Sequence, residues 1–181
     1  MPALRRLIAP WKGSPLRHRP AGSRRSVLDD SYLGQASANR WSAKGVRAWY
    51  FAADQGIVAA EHARHVAAEL PEGRAVRLER EVFRVPVTLE RALDLTDRRV
   101  VKAMGAAPVN DWILDLAATQ AVGAYLRTQL PGLQGLIVPS VAFLDEHARH
   151  NVVVFRDAVD PARVFGRPEL VLRITLEAAG G

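Results

Sequence analysis

The sequence predicts an α+β domain, and three observations carry that reading. Apolar runs with strand character occur at least five times, whereas only two or three segments have helical spacing. The two kinds do not alternate in the βαβ rhythm that builds a parallel sheet. No glycine-rich turn joins a strand to a helix, which excludes a P-loop and a Rossmann fingerprint. With 181 residues, 49% hydrophobic and 24% charged, the chain can bury one core unaided and is too apolar for wholesale disorder.

The elements follow in order. Residues 1–30 read as an irregular basic arm, because Pro2, Pro10, Gly13, Pro15, Pro20 and Gly22 interrupt every run. Residues 46–52 have the aromatic content of a strand. Asp54 stands where a helix cap belongs, so 55–70 reads as an alanine-rich helix that stops before Pro71. Residues 75–89 alternate as one long strand through Val76, Leu78, Val82, Val87 and Leu89. A short helix is expected over Asp97–Met104 and a longer one over Asp111–Leu130, closed by Pro131-Gly132. Apolar strands are expected at 135–138, 151–155 and 169–176.

Charge is unevenly placed. The net charge is +6 and the pI about 10.4, values that suggest a polyanionic partner. Yet residues 1–30 hold seven Arg and Lys against Asp29 and Asp30, while the other 151 residues carry 18 basic and 17 acidic side chains. A nearly neutral body argues against a nucleic-acid-binding face. The absence of cysteine excludes disulfides, thiolate zinc sites and thiol nucleophiles. Leu7-Ile8-Ala9 is too short for a secretory signal, and prolines and glycines break the uncharged stretch Thr128–Leu144. A cytoplasmic protein without a membrane partner is expected.

One pentapeptide occurs twice, as Glu61-His-Ala-Arg-His65 and Glu146-His-Ala-Arg-His150. Each copy sets two histidines three apart, a spacing that on a helix puts both imidazoles on one face. The flanking sequences differ completely and the order is not that of a zinc-protease motif, so no metal site is assigned.

Residues 38–61 carry the densest pattern. Arg40-Trp41 is followed by Gly45, by an apolar strand bearing Tyr50, and by a helix on which Glu61 shares a side with Ile57, Val58 and His65. Downstream come Leu93-Asp94-Leu95-Thr96-Asp97, Thr119-Gln120-Ala121, the run Gly135 to Ser140, and Asn151-Val-Val-Val-Phe155. In this order the pieces resemble the RES domain family, named for arginine, glutamate and serine, over roughly residues 15 to 157. The family pattern has two glycines before the arginine and an asparagine after the tryptophan; here stand Ala38-Asn39 and Ser42. A reshaped loop is therefore expected, since glycine permits backbone geometries that Ala and Asn resist.

The resemblance implies a single domain with a fold similar to ADP-ribosyltransferases, twisted β-sheets flanked by helices. It also implies cleavage of the nicotinamide–ribose bond of NAD⁺, with phosphate, water or a protein side chain accepting the ADP-ribose. NAD⁺ is then a substrate rather than a cofactor, and inorganic phosphate a co-substrate in one version. The family setting further implies a toxin with a helix-turn-helix (Xre-type) antitoxin as partner; self-association is left open. On this reading Glu61, Arg40 and Ser140 are catalytic, and Arg17, Tyr50, Gln120 and Asn151 bind substrate, with Arg19 a rival to Arg17. Breaking an N-glycosidic bond builds positive charge on the ribose, which a carboxylate such as Glu61 stabilises. Guanidinium groups suit the pyrophosphate or a ribose hydroxyl, Tyr50 offers a ring for nicotinamide, and Ser140 a short hydroxyl at a strand end. Three alternatives stay open: a protein-modifying ADP-ribosyltransferase, a nucleic-acid-binding protein using the arm, and an inactive interaction domain.

Overall fold

The computed structural model describes residues 2–72, 74–144, 146 and 149–179. Eight strands form one mixed sheet with helices packed against it, in agreement with the α+β expectation. The elements are α1 (Pro2–Arg5), β1 (Ala9–Gly13), β2 (Leu16–Pro20), β3 (Ala48–Ala52), α2 (Gln55–Glu69), β4 (Ala75–Arg84), β5 (Val87–Asp94) and α3 (Arg98–Met104). Then follow α4 (Val109–Trp112), α5 (Leu116–Gln129), β6 (Gly135–Pro139), β7 (His150–Phe155), α6 (Pro161–Val164) and β8 (Glu169–Ala179). The strand order is β1-β5-β6-β7-β3-β2-β4-β8, and only β5 and β6 run parallel.

Two chain segments tie the sheet together. β1 and β2 are separated by two residues, yet β1 lies at one edge and β2 beyond β3; β4 and β5, also two residues apart, are equally far from one another in the order. Each pair is thus one long strand kinked in the middle, at Ser14-Pro15 and at Val85-Pro86, so that the sheet bends into two lobes. The kinks touch, since the Val85 N–H donates to the Pro15 carbonyl at 2.9 Å. One lobe is β1-β5-β6-β7-β3 and the other β2-β4-β8.

This corrects the reading of residues 1–30 as an irregular arm. Their prolines fall where a sheet tolerates them: Pro10 sits on the edge strand β1, where the register shifts between Ala9 and Trp11, and Pro20 ends β2. It also corrects the single strand expected at 75–89, which Pro86 divides. The helix expected over Asp111–Leu130 is divided as well, because the Asp115 carboxylate accepts from Ala118 N–H and caps α5 afresh. α2 and α3 begin at the expected caps, Asp54 and Asp97.

Both faces of the larger lobe are covered. Leu93, Leu136, Val138, Val153 and Phe155 point toward α5 and the Trp41 loop, whereas Leu89, Ile137, Val152 and Val154 meet Trp49, Phe51 and Val164 on the other side. This double burial explains why β6 and β7 read as unbroken apolar runs. A third cluster, Leu16, Ala52, Ile57, Val58 and Val82, seats α2 across the junction of the lobes.

Candidate active site

β2 and β3 pair only at Leu16↔Ala52 and diverge beyond it. The parted strands open a cavity of about 940 Å³ that Arg17, Arg40, Tyr50, Glu61 and Asn151 all line. The site is therefore a seam in the sheet, and its walls come from both lobes.

The carboxylate is the most firmly held group. Glu61, one turn into α2 beyond Ile57 and Val58, turns Oε1 toward β6 and β7. There it accepts from the Ser140 hydroxyl at 2.7 Å and from Asn151 Nδ2 at 3.2 Å. Ser140 is wholly buried and does not itself line the cavity, whereas the Glu61 side chain is 26% exposed. Two donors thus fix one carboxylate oxygen and leave Oε2 for the cavity, where Arg64 lies 3.6 Å away.

The two arginines of β2 have different partners. Arg19 is bound by Glu81, at 3.0 Å through Nε and 2.9 Å through Nη2. Arg17 has no carboxylate within ion-pair distance among the described residues. Its Nε donates to the Val27 carbonyl at 2.8 Å and Nη1 to the Tyr50 carbonyl at 3.0 Å, filling the gap where the β2–β3 ladder has parted. Burial lowers its pKa to about 10, which leaves it charged at neutral pH. A half-buried cation whose hydrogen bonds go only to carbonyls is ready to receive an anion.

Arg40 lines the same cavity from the loop that precedes β3. Its Nη1 donates to the Ile113 carbonyl at 2.5 Å. Burial and the nearby Arg64 lower its pKa, against the attraction of Glu61. The loop that carries it is tied down at three points. Gln120 of α5 donates to the carbonyls of Ser37 and Asn39, both at 2.9 Å; it holds the loop and does not line the cavity. The Trp41 N–H donates to the Tyr50 hydroxyl at 3.1 Å, and Ser42 Oγ lies 2.8 Å from the same oxygen. Finally, Gly123 lets α5 approach so closely that a Cβ there would stand 2.3 Å from the Trp41 carbonyl oxygen. Burial, the larger effect, pushes the Tyr50 pKa up to about 12. Ala38 and Asn39 adopt no positive φ, so their replacement of glycine leaves the loop unstrained.

Three further side chains of the cavity wall, His18, His62 and Arg80, carry no signal in the sequence reading. His18 alternates with Arg17 and Arg19 along β2 and points to the α2 side, its ring 4.6 Å from that of His62. Arg80 Nε donates to His62 Nε2 at 2.9 Å. Parity in β2 and the paired β4 puts His18 and Arg80 on one face once residues 16–20 are read as strand. The first copy of the pentapeptide lies on α2, whereas His150, the end of the second, begins β7. His147 and the side chain of His65 fall outside the described residues. Among the described residues no three His, Asp or Glu side chains gather as a metal site.

A bent sheet with a carboxylate clamped by serine, and arginines across a cleft, invites comparison with known proteins. The family model of the RES domain matches residues 4–174. The chain belongs to the RES domain family. A search of curated proteins returns no match. Among solved structures, the M. tuberculosis MbcT–MbcA toxin–antitoxin complex contains a chain similar to this RES domain, with a TM-score of 0.65 and 20% identity. The similarity covers 93% of this chain and 86% of that one, which shows a shared fold. No described helix of this RES domain is long and apolar enough to cross a membrane.

Proposed function

We propose that this RES domain is an enzyme that cleaves the nicotinamide–ribose bond of NAD⁺. The observation that carries the proposal is the Glu61 carboxylate, fixed by Ser140 and Asn151 and facing a cavity with Arg17 and Arg40 in its walls. In the reaction the bond between ribose C1′ and the pyridinium nitrogen breaks, and its electron pair neutralises the departing nicotinamide. Positive charge shared by C1′ and the ring oxygen develops beside Glu61, whose orientation is already set. An acceptor oxygen then bonds to C1′; if the acceptor is water, it gives up a proton. Arg17 and Arg40 hold the pyrophosphate or a ribose hydroxyl, and Tyr50 supports the nicotinamide ring. Asn151 touches both Glu61 and the cavity, while Gln120 acts through the loop of Arg40.

The solved complex that shares this fold is named as a toxin bound to its antitoxin. That supports reading this chain as the toxin of such a pair, held inactive by a protein that covers the cleft; a helix-turn-helix antitoxin is the partner proposed. The test is chromatographic. Purified protein is incubated with NAD⁺, with and without phosphate, and released nicotinamide is measured. Release by wild type and its loss in Glu61→Gln are expected. Silence of wild type in both buffers overturns the proposal. The product separates the acceptors: ADP-ribose for water, ADP-ribose 1″-phosphate for phosphate, and a labelled polypeptide for a protein.

A further inference from the structure

We propose that His18, His62 and Arg80 form a phosphoryl-binding subsite on the α2 side of the cleft. Four observations meet there. First, all three side chains line the cavity that contains Glu61. Second, His18 Nδ1 is the one buried side-chain nitrogen or oxygen without a hydrogen-bond partner among the described residues. An orphaned buried polar atom is costly and rare, and a ligand atom would satisfy it. Third, Arg80 uses Nε on His62, which fixes the plane of its guanidinium, and has no carboxylate within ion-pair distance among the described residues. Fourth, Arg17, which also has no carboxylate within ion-pair distance among the described residues, lies near enough to His18 to influence its charge.

Together these groups supply positive charge and planar N–H donors without a resident anion. A tetrahedral phosphoryl group, with oxygens directed several ways, can take the Arg80 fork and an Nδ1–H from His18 at once. The ring of His18 stays neutral at physiological pH because burial and the surrounding cations oppose its protonation, so it acts as a hydrogen-bond donor. His62 positions Arg80 and belongs to the subsite through it.

Two sources can supply the phosphoryl group: the pyrophosphate of a dinucleotide, which rests on the NAD⁺ reading above, or free inorganic phosphate, which does not need it. The experiment titrates the full chain by calorimetry with inorganic phosphate, with ADP-ribose, and with each in the presence of the other. Arg80→Gln and His18→Phe should weaken the bound phosphoryl ligand roughly tenfold or more, the loss of a hydrogen bond to a charged group. Competition between phosphate and ADP-ribose assigns the subsite to the pyrophosphate; independent binding of both assigns it to free phosphate. Unchanged affinity of both ligands in both variants overturns the proposal. Should a variant fail to fold, the imidazole ¹⁵N signals of the wild type serve instead. They must shift for His18 on addition of phosphate or ADP-ribose, and their constancy under both overturns it. Because binding is read without turnover, a silent enzyme that still binds phosphate at Arg80 defeats the NAD⁺ reading and not this one.

Discussion

The hydroxyl of Ser140 donates to Oε1 of Glu61 across 2.7 Å, although 79 positions separate the two residues in the chain. The serine is completely buried and the glutamate partly open, so the contact joins the core to the cavity. Ser140→Ala leaves Asn151 as the other donor to Oε1. We expect kcat for NAD⁺ cleavage to fall roughly 10- to 100-fold, the equivalent of about 1–3 kcal/mol, with KM little changed. A variant as fast as wild type in steady-state assays would show that Asn151 alone orients the carboxylate.

Gly123→Ala tests the approach of α5 to the arginine-bearing loop. The new methyl would meet the Trp41 carbonyl oxygen at 2.3 Å, and a backbone atom cannot turn aside as a side chain can. Overpacking of this kind costs about 1–3 kcal/mol. At this length each kcal/mol corresponds to a fall in Tm of about 2–4 °C. Thermal unfolding followed by circular dichroism gives the answer, and an unchanged Tm refutes the close approach.

Arg17→Lys conserves charge but not shape. One ammonium cannot reproduce the bonds from Nε to the Val27 carbonyl and from Nη1 to the Tyr50 carbonyl. Each carbonyl left unpaired costs on the order of 1–3 kcal/mol. Lower stability in urea and a raised KM are expected together; a shift in KM with stability intact would mean that Arg17 does not brace the parted strands.

Acid should weaken the fold through His18. Its folded pKa is lowered to about 3, chiefly by burial and then by His62, Arg80 and Arg17, against 6.5 in the unfolded chain. Between those values the unfolded state binds the additional proton, so the contribution to stability is complete above pH 6.5 and is lost as pH falls toward 3. His18→Phe should flatten this limb of a plot of urea midpoint against pH. An acid limb of the same steepness in the variant removes His18 from the account.

At the alkaline end the relevant group is Tyr50. Its folded pKa is raised from 10.0 to about 12, so its contribution is complete below pH 10 and declines as pH climbs through 12. Tyr50→Phe should lose that decline. It should also lose stability at neutral pH, because the Trp41 N–H then lacks its acceptor. If the neutral-pH Tm is unaltered, water replaces the phenol.

How much of this was legible in the sequence varies with the physical signal. Asp54 and Asp97 cap helices at the expected positions because capping is local chemistry. The strand from Gly135 was legible because an apolar run between turn residues has few other outcomes. The opening segment reads as irregular because proline interrupts every local run, and only the strand order reveals that β1 is an edge able to accommodate it. Pro86 is hidden within an alternating run for the opposite reason, since alternation continues through a kink. The position of Glu61 on the inner side of α2, where it lines the cavity, follows from its helical neighbours. The clamp on it could not follow, because no periodicity links residue 61 to residues 140 and 151. His18, with its buried Nδ1, is hidden along with the strand that bears it.

The wide separation of Glu61 from its two anchors has a consequence for how the protein is made. A ribosome adding about 5–20 residues each second reaches Asn151, 90 positions later, roughly 5 to 20 s after Glu61. During that interval the carboxylate exists on a chain that lacks β6 and β7, and nothing directs it. Synthesis order thus acts as a timer: the carboxylate gains its fixed orientation only once β6 and β7 have docked.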